Sequence, residues 1–204
     1  MKIRRIFLPI LAAALLLSPA AQADKKPYVF DKAHSEINFV AEARFLSAHG
    51  FFGTWDGTAE LDPAKLEDST VSFTIDTASI NTRNDRRDNH LKTADFFDAA
   101  NFPKITFAST KITRVDAQNL MIDGNLSIRG NAKPVQVPVR VVFLENGNGR
   151  FKGEFKVNRK DFGVSYNSGM NPIEDIVTVQ FDFHMVDQEA QRQRQQQQPP
   201  KKNN

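Results

Sequence analysis

The chain has 204 residues with 27 Lys and Arg, 24 Asp and Glu and no cysteine, about one domain's worth of polypeptide that uses neither disulfides nor thiolate chemistry. With 40% hydrophobic residues, 17 of them Phe, it can bury a core, which excludes wholesale disorder. The net charge of +3 resides in Lys2, Arg4 and Arg5; from residue 24 onward 24 basic residues balance 24 acidic ones, which excludes nucleic-acid binding by bulk electrostatics.

Residues 1–23 read as a secretory signal: a basic start, an apolar run over 6–17, and Ala21-Gln22-Ala23 as a small-x-small cleavage site. The apolar run is short for a membrane span, although an uncleaved anchor is the alternative. The expected mature chain starts near Asp24 as a soluble periplasmic protein, and the absence of cysteine excludes a lipid-modified N-terminus.

Period-two alternation then appears in eight runs, the mark of antiparallel strands with one buried face. Ile37, Phe39, Ala41, Ala43 and Phe45 form the first, and Trp55, Gly57, Ala59 and Leu61 the second. Residues 71–76 and 105–109 follow, then 120–128 with Leu126 and Ile128, 135–143, 151–157 with Phe155, and 177–185 with Phe181. Turn chemistry separates them at Asp62-Pro63, Arg129-Gly130-Asn131 and Asn146-Gly147, whereas Asp123-Gly124 lies within an unbroken alternation and reads as a bulge. One stretch, 87–95, looks helical, with Asp85 or Asp88 available as its cap.

From Gln188 a Gln-rich tail, 188–204, has four basic residues, one acid and no apolar periodicity, and is predicted to be disordered. The predicted fold is all-β, an eight-stranded antiparallel barrel over 24–187 with one short inserted helix. Its inward faces mix Phe39, Phe45, Phe73, Phe107, Phe155 and Phe181 with Ala41, Ala43, Gly57, Ala59, Gly124 and Gly153. That mixture suits either a close-packed core or an elongated apolar cavity.

No nucleophile elbow, phosphate loop or H-E-x-x-H motif is present, and His34, His49, His90 and His184 show no helical pairing, so neither an enzyme nor a metal site is predicted. The densest polar cluster, Asn81 to His90, includes Arg87 and Asp88 and reads either as an anion-binding set or as a self-satisfied capping network. A second cluster, Asn158 to Val164, offers Arg159 and Asp161 as charge partners for Arg87 and Asp88 across the barrel rim. Phe96, Phe97 and Phe102 are expected to line or plug one mouth, and Gly50-Phe51-Phe52-Gly53 reads as a loop whose rings pack or gate an entrance.

The segments Tyr28-Val-Phe30-Asp31-Lys-Ala-His34-Ser35, Gly50-Phe-Phe52-Gly53, Arg87-Asp88-Asn89-His90-Leu91-Lys92-Thr93-Ala94-Asp95-Phe96-Phe97, Phe102-Pro103, Leu126-Ser-Ile128-Arg129-Gly130 and Asn158-Arg159-Lys-Asp161-Phe162-Gly163-Val164 together resemble the YceI-like family in order and spacing. The resemblance implies an exported, lipocalin-like elongated barrel that holds a long isoprenoid or similar chain, with no settled enzymatic activity. It favours a cavity over a filled core. It makes quinone-like or polyprenyl lipid the expected ligand and Phe39, Phe45, Phe52, Phe73, Phe96, Phe97, Phe107, Leu126, Ile128, Phe155 and Phe181 its lining, with Arg87, Asp88, His90, Arg159 and Asp161 as a head-group or rim network. Transient contact with a membrane or a cytochrome of the b561 type is the expected partnership, and no cofactor or metal beyond a bound lipid is expected. Two other functions stand beside this one: a lipid head-group enzyme using Asp88, His90 and Arg87, and a filled-barrel stress or adaptor protein acting through its surface and tail.

Overall fold

The alternating runs form strands, and three further strands join them. The computed structural model describes residues 24–197; the predicted signal, 1–23, and residues 198–204 lie outside the described residues. In chain order the strands are β1 (Lys26–Phe30), β2 (Glu36–Ala43), β3 (Leu46–Phe52), β4 (Trp55–Leu61), β5 (Thr70–Asp76) and β6 (Ile80–Asn81). After helix α1 (Asp85–Leu91) come β7 (Lys104–Arg114), β8 (Asn119–Ile128), β9 (Asn131–Glu145), β10 (Asn148–Asn158) and β11 (Ile173–Asp187), then helix α2 (Gln188–Gln197).

The order β1-β4-β5-β7-β8-β9-β10-β11 returns to β1, so the antiparallel sheet closes into an eight-stranded barrel. Strand β11 is long enough to serve two partners. Its C-terminal end pairs with β1 (Phe30↔Met185) and its N-terminal half with β2 (Ile37↔Phe181), so β1 and β2 are two halves of one bent strand. Strands β3 and β4 are likewise halves around Gly53-Thr54, and β5 and β6 flank a 3₁₀ turn, Thr77–Ser79. At these bends the inward parity switches: Leu46, Ala48 and Phe52 face inward from β3, but Ala59 and Leu61 from β4.

Strand β3 was not anticipated, and the Gly50-Phe51-Phe52 segment is strand rather than loop. Its inward residues include Ala48 and Gly50, too small to register as an apolar stripe. Gly50 is small for a reason: it faces Phe39 across the ladder, and a Cβ there would stand 2.3 Å from Phe39 Cζ.

The predicted turns carry their signatures. Arg129 and Gly130, and Asn146 and Gly147, all have positive φ, as a two-residue hairpin turn that matches strand twist requires. The bulge lies where expected, but its extra residue is Thr110 on β7, between Ser109↔Gly124 and Lys111↔Asp123. Along β9 the ladder to β10 ends at Val139↔Gly153, beyond which Pro138 and Pro134 have no N–H to continue it.

The two ends of the barrel differ. The connections at 62–69, 115–118 and 146–147 form the base, where Leu66 is buried and the Arg114 guanidinium grips Glu67 at 3.0 and 3.3 Å. The β2–β3 turn, α1, the β8–β9 turn and the long β10–β11 connection form the top. There β6 pairs only with β3, and α1 with the chain that follows it spans the interval before β7.

Beyond β11 the tail is not irregular from Gln188. Asp187 Oδ1 accepts from the N–H groups of Glu189 and Ala190, and the Gln, Glu, Ala and Arg residues that follow are good helix formers, so a capped helix continues to residue 197. Among the described residues no helix is long and apolar enough to cross a membrane.

Candidate binding cavity

A cavity of about 470 Å³ runs through the barrel, within the size range of ligand sites. Of the residues assigned to the lining from sequence, Phe39, Phe52, Phe73, Phe96, Phe97, Phe107, Leu126, Ile128, Phe155 and Phe181 all reach it. Phe45 does not: the strand ends at Ala43, Phe45 falls in the β2–β3 turn with its N–H donated to Asn171 Oδ1, and its side chain is 70% exposed.

Twelve phenylalanines line the cavity, which stays open because several of their rings lie along the wall. Gly50, Gly57, Gly124 and Gly153 each face a ring projecting from a neighbouring strand: Phe39, Phe73, Phe107 and Phe181 respectively. A Cβ on any of the four would stand 2.2 to 2.9 Å from that ring. Each glycine is a slot that takes a ring out of the lumen.

Sequence reading missed the aromatic floor. Phe30, Trp55, Phe73 and Phe183 form one cluster, with Phe73 and Phe183 stacked at 4.7 Å and Phe181 stacked on Phe183 at 4.8 Å. Phe30 escaped notice because the five-residue β1 is too short to display a period, although Phe183 stood in a recognised run. The central section of the cavity is apolar on all sides.

Polar groups gather at the top. Arg87, His90, Arg159, Tyr166, Ser168 and Asn171 line the cavity there, while Ser69 reaches it from the base. The His90 ring packs edge-on against Phe96 and Tyr166, each at 5.0 Å between centroids, while its Nε2 lies 2.9 Å from Asp95 Oδ2. Arg129 donates through one nitrogen to Phe96 O and Gly163 O, both at 2.9 Å, and so ties the post-helix chain to the β10–β11 connection.

The rim network differs from the expected one. Arg87 donates to Thr82 Oγ1 and Thr82 O, and buried Asp88 accepts from Thr82 N–H and the Thr82 hydroxyl, so these three brace the loop before α1, whose cap is Asn84, its Oδ1 accepting from the Arg87 N–H, rather than Asp85 or Asp88. Arg159 does not reach them. It is 6% exposed, and its five N–H donors are spent on Glu174 O, Val164 O, Tyr166 O, Ile173 O and Asp175 Oδ1, which fixes the β10–β11 connection. Asp161 sits exposed in the 3₁₀ turn Arg159–Phe162 and lines nothing. The two clusters that resembled one charged pair across the mouth are two separate loop braces.

Outside the barrel, Asp182 accepts from Arg150 at 2.8 and 3.0 Å and lies 3.0 Å from Lys152 Nζ; the Arg150 guanidinium, foremost, holds its carboxyl below the usual carboxylate range. Burial, with the Asp187 carboxylate nearby, pushes the Tyr28 phenol up.

The YceI-like domain profile matches residues 28–185, nearly the whole barrel. A UPF0312 protein of Azotobacter vinelandii is 34% identical over 174 residues, covering 79% of this chain and 88% of the relative. Protein YceI of Escherichia coli O17:K52:H18 is 32% identical over 167 residues, covering 78% and 87%. Among solved structures, BcnA of Burkholderia cenocepacia superposes with a TM-score of 0.71 at 27% identity, covering 76% of this chain and 98% of that one. A polyisoprenoid binding domain from Saccharophagus degradans, implicated in plant cell wall breakdown, superposes with a TM-score of 0.62 at 15% identity over 78% and 98%, a likeness of fold. With the barrel, its bends and its domain profile in agreement from the first strand to the last, the chain belongs to the YceI-like family.

Proposed function

We propose that this protein encloses a long isoprenoid-type lipid, quinone-like or polyprenyl, and carries or sequesters it in the periplasm. The observation that carries this reading is the cavity of about 470 Å³ whose central walls are aromatic and aliphatic, with its charged and most of its polar lining groups at the top. Each CH₂ moved from water into such a space is worth ~0.8 kcal/mol, so a chain that cannot cross water alone gains its burial here. The polyisoprenoid binding domain of similar fold supports the same ligand class. Arg87, His90 and Tyr166 are placed to orient a polar head while the chain extends toward Phe30 and Phe183.

Loading calls for contact with a membrane or with a membrane cytochrome of the b561 type. The top rim supports such contact, since Phe45, Leu46 and Met170 stand 70%, 46% and 84% exposed around the mouth. The test is to purify the full chain from its host without detergent, extract it with organic solvent and identify bound lipid by mass spectrometry. A near-stoichiometric isoprenoid is the expected result; an empty protein that also refuses quinones and polyprenols in vitro would return the role to the outer surface and tail.

A further inference from the structure

The Asp31-x-x-His34-Ser35 motif takes no part in the cavity. It lies at the bend between β1 and β2, where β11 passes from one partner to the other, and there the fold adds His184 from β11. Asp31 Oδ2 is 2.8 Å from His34 Nδ1 and 3.5 Å from His184 Nδ1, and the three donor atoms all lie within 4.8 Å of one another.

We propose that Asp31, His34 and His184 form a surface site for a borderline divalent transition metal of the zinc type, which staples the first strand of the barrel to the last. Two imidazole nitrogens and one carboxylate oxygen are a zinc donor set, and donors ~2.0–2.2 Å from a tetrahedral ion stand a little over 3 Å apart, close to the two spacings found here. Imidazole donors select against magnesium and calcium, which take oxygen ligands. Both histidines direct Nδ1 at the same carboxylate oxygen. To ligate, each neutral ring carries its single proton on Nε2, a proton on Nδ1 passing there through solvent, so that the Nδ1 lone pair faces the ion and no net proton is lost.

The surroundings hold the donors in place. Asp31 Oδ1 is occupied by the Ala33 N–H at 3.1 Å, which leaves Oδ2 for the ion, an arrangement that fixes a ligating carboxylate from behind. The Asp31 N–H donates to His184 O at 2.8 Å, the His184 N–H to Ser35 Oγ at 2.9 Å, and the Ser35 hydroxyl back to His184 O at 3.3 Å. Three backbone-anchored hydrogen bonds thus join the bend to β11 before any ion arrives, two of them between residues 149 positions apart. The His34 side chain is 72% exposed, so an ion has access from solvent and keeps water in its remaining position.

The test is calorimetric titration of the chelator-stripped full chain with zinc chloride, alongside melting temperatures with and without zinc. The expected result is one zinc per chain, a raised melting temperature, and affinity lowered at least about tenfold in both His34→Ala and His184→Gln. His49→Ala, on an exposed position of β3, serves as the control and should bind as the parent does. Circular dichroism of the zinc-free variants establishes that they fold, and His34→Ala, being exposed, should melt as the parent does without zinc. The absence of zinc uptake by the parent at millimolar zinc would overturn the site, as would undiminished affinity in folded His34→Ala. Neither outcome bears on the lipid cavity.

Discussion

Gly153 lies opposite Phe181 across the β10–β11 ladder, and a Cβ on Gly153 would stand 2.2 Å from Phe181 Cζ and 2.6 Å from Pro138 O. The ring therefore occupies the space a side chain would fill and lies along the wall. The same arrangement recurs at Gly50 with Phe39, Gly57 with Phe73 and Gly124 with Phe107. These pairs explain how a Phe-rich barrel keeps a lumen: the wall is thinned where a ring must lie down.

Gly153→Ala should force Phe181 into the cavity and strain the backbone at Pro138, costing about 1–3 kcal/mol. Urea denaturation measures the stability, and the lipid content of the purified variant measures the lost space. A variant with parental stability and parental lipid content would refute the role of this slot.

Arg159→Lys cannot replace five N–H donors with three in the same geometry. The carbonyls it abandons, at residues 164, 166, 173 and 174, should cost about 3 kcal/mol or more in sum, given ~1–3 kcal/mol for each group left unsatisfied. Amide hydrogen exchange should accelerate across residues 163–175 before it does in β7 or β8.

Acid should release the Asp182 contacts. The folded-state pKa lies below the unfolded one because Arg150 and Lys152 favour the carboxylate, so the stabilisation is present above the unfolded value, near pH 4, and disappears as pH falls through the lower folded value. The pair is partly solvated, so the effect is about 1 kcal/mol or less. Melting temperatures from pH 7 to pH 3 should fall less steeply for Asp182→Asn than for the parent.

Phe45→Ser removes an exposed ring from the rim, and stability should remain within about 0.5 kcal/mol of the parent. Lipid uptake from vesicles should slow while the final amount bound stays unchanged. Equal uptake rates would remove this rim from the loading step.

The resemblance of Asn158 to Val164 and of Arg87 to His90 to a single charged rim arose because sequence shows which side chains are present but not where their donors are spent. Arg159 and Arg87 each serve carbonyls within about sixteen residues of themselves, and no spacing rule distinguishes such a brace from a contact across the mouth. Phe45 failed for a simpler reason: it continued the alternation of β2 by one step into a turn.

Local physics was legible in the sequence alone. Alternation marked the long strands, Asn146-Gly147 and Arg129-Gly130 marked hairpin turns, and alternation also marked Phe39, Phe73, Phe107, Phe155 and Phe181 as inward-facing. Each of these depends on residues a few positions apart. Tertiary structure decided the rest: the parity switch at the strand bends, the glycine slots that separate a lumen from a filled core, and the meeting of Asp31 and His34 with His184. Those features depend on strand register and barrel closure, which join residues about 150 positions apart and which no local pattern specifies.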